Sequence, residues 1–217
     1  MALSKVNFNS LNVTPAASKA IKFNSNNNGI ETGDVGGSLV LLSTQTASSS
    51  GTIQFTSGID STYKEYIIKI INCHAETNNV RFLFNMSADG GSNYNVTKTT
   101  TIFESRHDED GSNGGVAYSG RTLSEDLAQS TSFQKLCFGV SNDNDHAING
   151  YIHLFDPSNT TFVKHYIGLI SNVNETNGAY QYYNAGYANT TSAINAVQFK
   201  MDSDNIDAGT FKLYGVV

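Results

Sequence analysis

Three short acidic segments contain residue types that bind hard cations. They are HDED at residues 107–110, NDNDH at 142–146 and DSDNID at 202–207. Calcium takes about six to eight oxygen ligands, and closely spaced Asp and Asn side chains can supply several of them. The calcium candidates are Asp143, Asp145, Asp202 and Asp204. The DSDNID segment lacks the glycine and the distal glutamate of an EF-hand loop, so we predict Asx-rich turns here, with no metal and no cofactor.

Acid–base hydrolysis of a sugar polymer would need only two carboxylates on opposite sides of the scissile bond. Glu104, Asp108, Glu109 and Asp156 are the candidates that could face each other across a groove. The sequence contains no G-x-S-x-G nucleophile elbow, no P-loop and no G-x-G-x-x-G motif. We therefore predict that the protein is not an enzyme and has no catalytic residues, and a polysaccharide-active enzyme is the remaining alternative.

Tyrosines cluster in the segment NGAYQYYNAGYANTTSA, where Tyr180, Tyr182, Tyr183 and Tyr187 lie among Asn, Gly and Ala. A tyrosine ring gives rigid contact area, and its hydroxyl remains hydrated, so this composition is typical of recognition surfaces. The segment is our hypothesis for contact with a glycan or receptor. The alternating pattern is also that of an ordinary strand in a sandwich.

The segment SADGGSNY, residues 87–94, is similar to the Asp-box turn S-x-D-G-G-x-x-aromatic of sialidase-type propellers. In that turn the Asp and Gly residues shape the backbone and do no catalysis. A single copy in a chain without repeats predicts a hairpin turn between a strand at residues 80–87 and one that begins at Tyr94.

The composition is that of a β-protein with a neutral polar surface. Hydrophobic residues make up 39% of the chain and charged residues only 15%, with a net charge of -6. No Lys/Arg stripe is present to neutralise phosphates, so we expect no nucleic-acid partner. No apolar run is long enough to span a bilayer or to serve as a signal peptide, so we expect no membrane insertion and no secretion by that route. Cys73 and Cys137 lie in apolar segments and are predicted to be buried free thiols.

The first 37 residues differ from the rest of the chain. They are rich in Asn and Gly, and their isolated apolar residues cannot close a core. We predict an extended N-terminal arm over residues 1–37 that anchors the protein to a partner; a disordered terminus is the alternative. The predicted anchoring residues are Val6, Phe8, Leu11, Val13, Ile21 and Phe23.

Residues 38–217 are predicted to form one antiparallel β-sandwich, jelly-roll-like, because short strands alternate with Gly, Asn, Asp and Ser turns. One short helix is the best helical candidate, over RTLSEDLAQS at residues 121–130. The predicted strands are 39–44, 52–56, 66–73, 80–87, 94–103, 133–138, 148–155, 162–170, 180–187, 196–201 and 210–216.

The sequence ends on the apolar segment GTFKLYGVV, which predicts a final strand. Phe211 and Leu213 fall on one face of that strand, and Lys212 and Tyr214 on the other. An apolar final strand is stable when it pairs inside a sheet, because pairing removes the exposed edge.

Several phrases together are similar to those of a known group of proteins. They include TGDVGGSLVLLSTQTASSSGTIQFTSGIDSTYKEYI, LAQSTSFQKL, HLFDPSNTTFVKHY and NIDAGTFKLYGV. In this order they resemble virion structural proteins of tailed bacteriophages, especially marine and cyanobacterial ones, over nearly the whole chain. The resemblance implies a non-enzymatic, β-rich particle component assembled in the host bacterial cytoplasm.

These features give the functional expectation. We expect a tail-fibre, appendage or adhesion module that is attached to the particle by its N-terminal arm, with a capsid decoration protein as the alternative. The expected partners are copies of the same chain, in a homotrimer, other virion proteins and a host surface glycan.

Overall fold

The computed structural model describes residues 19–26, 28–34, 38–118 and 125–217, and these residues form fourteen strands and no helix. The chain divides into the units Met1–Ser38 and Leu39–Val217. Of the predicted anchoring residues, Val6, Phe8, Leu11 and Val13 lie outside the described residues. The strands are β1 (Lys19–Phe23), β2 (Ile30–Asp34), β3 (Leu39–Ser50), β4 (Ile53–Phe55), β5 (Glu65–Ala75), β6 (Val80–Ser87), β7 (Lys98–Asp108), β8 (Gly114–Tyr118), β9 (Gln134–Val140), β10 (Ile148–Phe155), β11 (Lys164–Val173), β12 (Gly178–Ala188), β13 (Ala196–Met201) and β14 (Ile206–Val216).

The first unit contains an antiparallel hairpin of β1 and β2, which the sequence did not indicate. The Asn24 amide N–H donates to the carbonyl of Gly29, which closes the turn between the two strands. Ile21 and Phe23 lie on β1 and are both exposed. The anchoring role of these two side chains stays a prediction.

The second unit consists of two antiparallel sheets. The larger has eight strands in the order β3-β14-β5-β10-β11-β12-β7-β8, and the smaller has four in the order β4-β13-β6-β9. Core side chains from both sheets form one hydrophobic cluster between them. The predicted all-β sandwich is therefore confirmed.

The strand order is that of a jelly roll with two insertions. The pairs β3/β14, β4/β13, β5/β10 and β6/β9 are the successive rungs of one long antiparallel ribbon folded over on itself. Folding that ribbon places alternate rungs in opposite sheets, which is the double Greek key of a jelly roll. The inserted strands are β7 and β8 and also β11 and β12, and all four extend the larger sheet beyond β10.

Aromatic rings join the two sheets at the centre of the core. Phe82 and Phe199 of the smaller sheet stack with centroids 5.7 Å apart, and both approach Phe211 of the larger sheet, at 6.2 and 5.5 Å. Phe84 contacts the Tyr166 ring across the same space, at 5.5 Å. Burying several aromatic side chains in one cluster supplies much of the apolar area that stabilises the fold.

Both cysteines are buried free thiols, as predicted. Burial raises the pKa of each thiol above its ordinary value, and the Cys137 sulfur adds to the effect at Cys73. A raised pKa keeps the unreactive thiol form, so these side chains act as small apolar core residues.

Three predicted strands, at residues 80–87, 148–155 and 196–201, match β6, β10 and β13 at both ends. The prediction for residues 94–103 is shifted, because β7 begins at Lys98. The predicted hairpin is wrong: β6 pairs with β13 and β9 in the smaller sheet, whereas β7 pairs with β12 and β8 in the larger. The residues 88–97 therefore cross from one sheet to the other.

The turn within this crossover is built by side chains that bond to the backbone. The Asp89 carboxylate accepts hydrogen bonds from the Ser87 hydroxyl and the Asn93 amide N–H, at 2.6 and 2.9 Å, and Ser87 Oγ accepts from the N–H of Gly91. The bonds from Ser87 and Asn93 lower the pKa of Asp89 to about 2. The Asp-box-like segment thus has the folding role that was expected.

The helix predicted over residues 121–130 is wrong for its described part, 125–130. The Leu127 N–H donates to Thr100 Oγ1 and its carbonyl accepts from the Thr100 N–H, while Ser130 forms a bridge with Lys98. These backbone groups bond to β7 and are not free for helical hydrogen bonds. Residues 121–124 lie outside the described residues.

The final strand is an interior strand of the larger sheet. β14 pairs with β3 on one side and β5 on the other, and Phe211 and Leu213 are fully buried. Lys212 and Tyr214 point to the opposite face, as the sequence predicted.

Replacement of Phe211 by Ala should lower the free energy of unfolding by about 3–5 kcal/mol, because it leaves a cavity between the two sheets. Deletion of residues 211–217 should prevent folding. Denaturant unfolding measures the first change, and Val217→Ala is the control, with an expected change within about 0.5 kcal/mol because Val217 is exposed. A loss below 1 kcal/mol, or normal melting after the deletion, would show that β14 is peripheral.

Two lysines are buried among the described residues, Lys98 and Lys164, and Lys98 is the more deeply buried. Lys98 is fully buried, and its Nζ donates to Asn85 Oδ1 at 2.7 Å and to the Val96 carbonyl at 3.0 Å. Desolvation lowers the pKa of Lys98 from 10.5 to about 8. The charged form is therefore less favourable in the folded protein than in the unfolded chain.

Between pH 8 and about pH 10 the unfolded chain keeps the Lys98 proton and the folded protein loses it, so stability contributed by this site rises with pH. The free energy of unfolding of the wild type should therefore rise relative to that of Lys98→Met by about 1 kcal/mol per pH unit in this interval. Denaturant titrations of both proteins across the interval measure the difference. Parallel pH profiles would contradict the lowered pKa.

Candidate functional site

Acidic side chains of the DSDNID segment form hydrogen bonds and an ion pair that attach its turn to the β-sandwich. Asp202 accepts a hydrogen bond from the Arg81 backbone N–H at 2.8 Å and forms an ion pair with its guanidinium at 3.3 Å. Asp204 accepts from the Thr77 hydroxyl. These contacts fix the β13–β14 turn against the start of β6. Among the described residues, no group of three His, Cys, Asp or Glu side chains has the geometry to hold a metal ion.

The other calcium candidates lie beside two histidines. The Asp143 carbonyl contacts His74 Nε2 at 3.1 Å, and the carboxylates of Asp143 and Asp145 each lie 3.9 Å from the His146 ring. His74 and His146 line one depression with Asp207, which lies 3.3 Å from His74 Nδ1. Sequence spacing could not show this meeting, because the residues come from three distant segments.

The outward side of the larger sheet has a row of large apolar and aromatic side chains. Strand register aligns Tyr151, Leu169, Tyr183, Phe103 and Tyr118 across β10, β11, β12, β7 and β8. The Phe103 and Tyr183 rings stack with centroids 4.5 Å apart and planes 10° apart. We call this row, together with Ile167, the aromatic face. Phe103 is 41% exposed and Tyr118 58%, so the row is open to solvent.

A shallow depression of about 380 Å³ lies next to this row. It forms because Ala185, a small residue, stands between Ile167 of β11 and Thr101 of β7. The rings of His165 and Tyr187, 6.0 Å apart, lie at one side of it. The depression offers mainly methyl and ring carbon atoms to a binding partner.

The outward side of the smaller sheet is covered by connecting segments. The Asn85 side-chain amide donates to the carbonyls of Tyr94 and Thr131 at 2.6 and 3.1 Å. The Tyr94 hydroxyl donates to the Gln54 side chain of β4, and Lys200 of β13 lies 4.5 Å from the Phe133 ring. The two sheets therefore differ, because the larger one leaves its aromatic face exposed.

The four tyrosines predicted as contact residues divide between two surfaces, because side chains alternate along β12. Tyr183 and Tyr187 point outward, and Tyr183 belongs to the aromatic face. Tyr182 is fully buried and Tyr180 nearly so, on the inner side of the sheet. Their contact role stays a prediction, and Tyr180 and Tyr182 line a second surface.

That surface is a cleft of about 400 Å³ beside β9, the edge strand of the smaller sheet. Strands β7 and β12 of the larger sheet extend past this edge. Of their inner side chains in the cleft, Asp108 is half-buried, whereas Glu104, Tyr180 and Tyr182 are buried. We call it the β9 cleft. Its lining residues are Asn79, Arg81, Glu104, Asp108, Asn113, Phe138, Gly139, Asn174, Glu175, Thr176, Tyr180 and Tyr182.

Some charged side chains of the β9 cleft form ion pairs, whereas two of its carboxylate oxygens accept no hydrogen bond from the described residues. Glu104 is 1% exposed and binds Arg106 at 2.6 Å, and Arg81 binds Asp202. Asp108 Oδ1 and Glu175 Oε2 are buried and accept no hydrogen bond from any described residue. Buried carboxylate oxygens without donors are costly, so this cleft favours a ligand that brings hydroxyl or amide donors.

The four carboxylates considered as candidates for sugar hydrolysis do not lie together in the structure. Glu104 and Asp108 both line the β9 cleft. Glu109 is exposed on the turn after β7. Asp156 lies elsewhere, where hydrogen bonds from Asn159 and Lys64 lower its pKa. Sequence reasoning missed Arg81, Phe138, Asn174 and Glu175, which reach the cleft from β6, β9 and the β11–β12 turn and share no spacing signal.

Comparison with protein-family models, with curated proteins and with solved structures gives no match. The described part of the chain also contains no helix that is long and apolar enough to cross a membrane.

Proposed function

We propose that this chain is a structural protein of a tailed-bacteriophage virion, a non-enzymatic tail-fibre or appendage module that assembles as a homotrimer through its aromatic face. The resemblance of several phrases of the sequence to virion structural proteins supports the particle assignment. The observation that carries the assembly role is the open row Tyr151, Leu169, Tyr183, Phe103 and Tyr118 on the larger sheet.

The composition of the aromatic face favours a protein partner. Ile167 is 53% exposed at its centre, and Leu169 lies beside it in the same strand. Contiguous exposed apolar area of this kind marks interaction surfaces, and aromatic residues are enriched at the centres of interfaces. Burying the face between subunits removes this area from water.

Charge supports association between identical chains. The net charge is -6, but the row of the aromatic face contains no charged residue, so copies can meet there with little repulsion. Lys69 of β5 and Lys212 of β14 continue the register of the row beyond Tyr151, so these lysines lie at one end of it. In a closed trimer with threefold symmetry, the aromatic face of each chain packs against a different surface of the neighbouring chain.

Attachment to the particle is assigned to residues 1–37. In the described part of that segment, Ile21 and Phe23 are exposed on the β1–β2 hairpin, and Phe23 is 72% exposed. Exposed large apolar side chains on a two-stranded hairpin suit docking onto another protein, because such a hairpin has little core of its own. Other virion proteins are the expected partners.

Sedimentation of the purified protein at micromolar concentration should give a mass about three times the 23.4 kDa of one chain. The replacement Ile167→Glu should give single chains, because it places a charge in the buried centre of the interface. Phe162→Glu is the matched control: Phe162 is 69% exposed in the β10–β11 turn, outside the aromatic face. A wild type that sediments as one chain, or an Ile167→Glu protein that stays trimeric, would contradict this assembly.

Antibody labelling of virions should place the protein on the tail or its appendages, at a low copy number in multiples of three. Deletion of residues 1–37 should remove it from particles without unfolding residues 38–217. Quantitative mass spectrometry of purified virions measures the copy number. One copy or more per capsomer would instead identify a capsid decoration protein, and absence from virions would refute the proposed function.

A further inference from the structure

We propose that the β9 cleft binds one neutral sugar residue of a host surface polysaccharide. This inference rests on the proposed function, since it names the ligand of an adhesion module, and it concerns a surface separate from the aromatic face.

The shape and the rings of the cleft suit a pyranose. Its volume of about 400 Å³ lies within the range of small-molecule sites, roughly 300–1,000 Å³. Phe138 and Tyr182 meet edge to face, with centroids 4.6 Å apart, and Tyr180 stacks beside Tyr182 at 6.2 Å. Of these rings, Phe138 is only partly buried and gives the cleft an accessible apolar surface, while Tyr180 and Tyr182 are buried beside it. The C–H faces of a sugar ring pack on such a surface while its hydroxyls remain free to bond elsewhere.

Polar groups in the same lining supply the complementary bonds. Asp108 Oδ1 and Glu175 Oε2 are buried acceptors without a donor among the described residues, and Arg81 Nε is a buried donor without an acceptor among them. Asn113 and Asn174 add amide groups to the lining. A sugar hydroxyl both donates and accepts, so neighbouring hydroxyls can satisfy these carboxylates and the guanidinium together.

Two glycines leave room for the carboxylates. Glu175 Oε2 occupies the space that a Cβ at Gly139 would fill, and Asp108 Oδ1 lies 2.6 Å from where a Cβ would stand at Gly178. A side chain at either glycine would therefore displace the carboxylate beside it.

The charge of the cleft selects a neutral sugar over an acidic one. Arg106 is engaged by Glu104, and Arg81 by Asp202, so the nearby guanidinium groups are already paired. Asp108 and Glu175 form no ion pair among the described residues. A uronic acid would bring a third carboxylate beside these two, and like charges in a partly buried site repel each other strongly.

The experiment is a titration of the purified full-length protein with glucose, galactose, mannose and N-acetylglucosamine, and with galacturonic acid as the acidic probe. Ligand-detected NMR and calorimetry both report binding. We expect saturable binding of at least one neutral sugar and none of galacturonic acid. Asp108→Asn/Glu175→Gln should bind the neutral sugar about tenfold more weakly and should no longer discriminate against galacturonic acid.

The control variant is Glu76→Gln/Asp145→Asn, which removes the same charge at exposed positions outside the cleft. It should bind as the wild type does. Glu175→Gln alone, on the β11–β12 turn, is the second test variant, because a single replacement in a turn is the least disruptive to folding. Thermal melting confirms that each variant is folded.

The inference is overturned if the wild type binds none of the four neutral sugars up to about 100 mM. It is overturned equally if the cleft variants and the control bind alike, or if galacturonic acid binds the wild type as tightly as a neutral sugar. Incorporation into virions tests the proposed function separately. A cleft variant that lacks sugar binding but enters particles normally is the result expected when both proposals hold.

Discussion

The structure depends on a mismatch between two sheets of four and eight strands that share one core. Phe82 and Phe199 of the smaller sheet pack on Phe211 of the larger, and this contact joins the sheets at their common centre. The four strands of the smaller sheet cannot cover all eight strands of the larger sheet. The larger sheet therefore extends beyond β9, the edge strand of the smaller sheet. On its outer side, no segment of the described residues 38–118 and 125–217 covers the aromatic row, whose Phe103 and Tyr118 are exposed. The β9 cleft follows from the difference in width, and the aromatic face follows from the lack of such a covering segment in the described residues.

The polar residues of the interior follow the same geometry. Where the smaller sheet covers the larger, the core is aromatic and aliphatic, and Lys98 is accommodated only with a lowered pKa and two acceptors. Past the edge of β9, the inward positions of β7 are Glu104 and Arg106, which pair with each other. Polar side chains on an inward face are tolerated where water or a ligand can reach them. Along this single strand, the inner side of β7 therefore changes from a packed interior to the polar wall of the β9 cleft.

Local sequence patterns predicted several strands at their correct positions. They predicted only part of the aromatic face and of the β9 cleft. The alternation of Val80, Phe82, Phe84 and Met86 fixed β6 at both ends, because a period of two residues reports directly which side chains face a core. The helix predicted over residues 121–130 was wrong in its described part, because the backbone at Leu127 bonds to Thr100 in a distant strand. The tyrosine cluster was found, but whether a tyrosine of β12 faces solvent or the cleft depends on sheet pairing. Glu175 and Phe138 line the same cleft but lie far apart in the sequence, so no local sequence pattern could predict that they are neighbours.

In the proposed trimer, the open side of the larger sheet is buried against other copies of the chain. A three-dimensional reconstruction of the assembled protein by electron cryo-microscopy tests this burial most directly. We expect three copies around one axis, with Tyr183 and Phe103 of each copy in contact with a neighbouring subunit. A reconstruction in which this row faces solvent in every copy would contradict it.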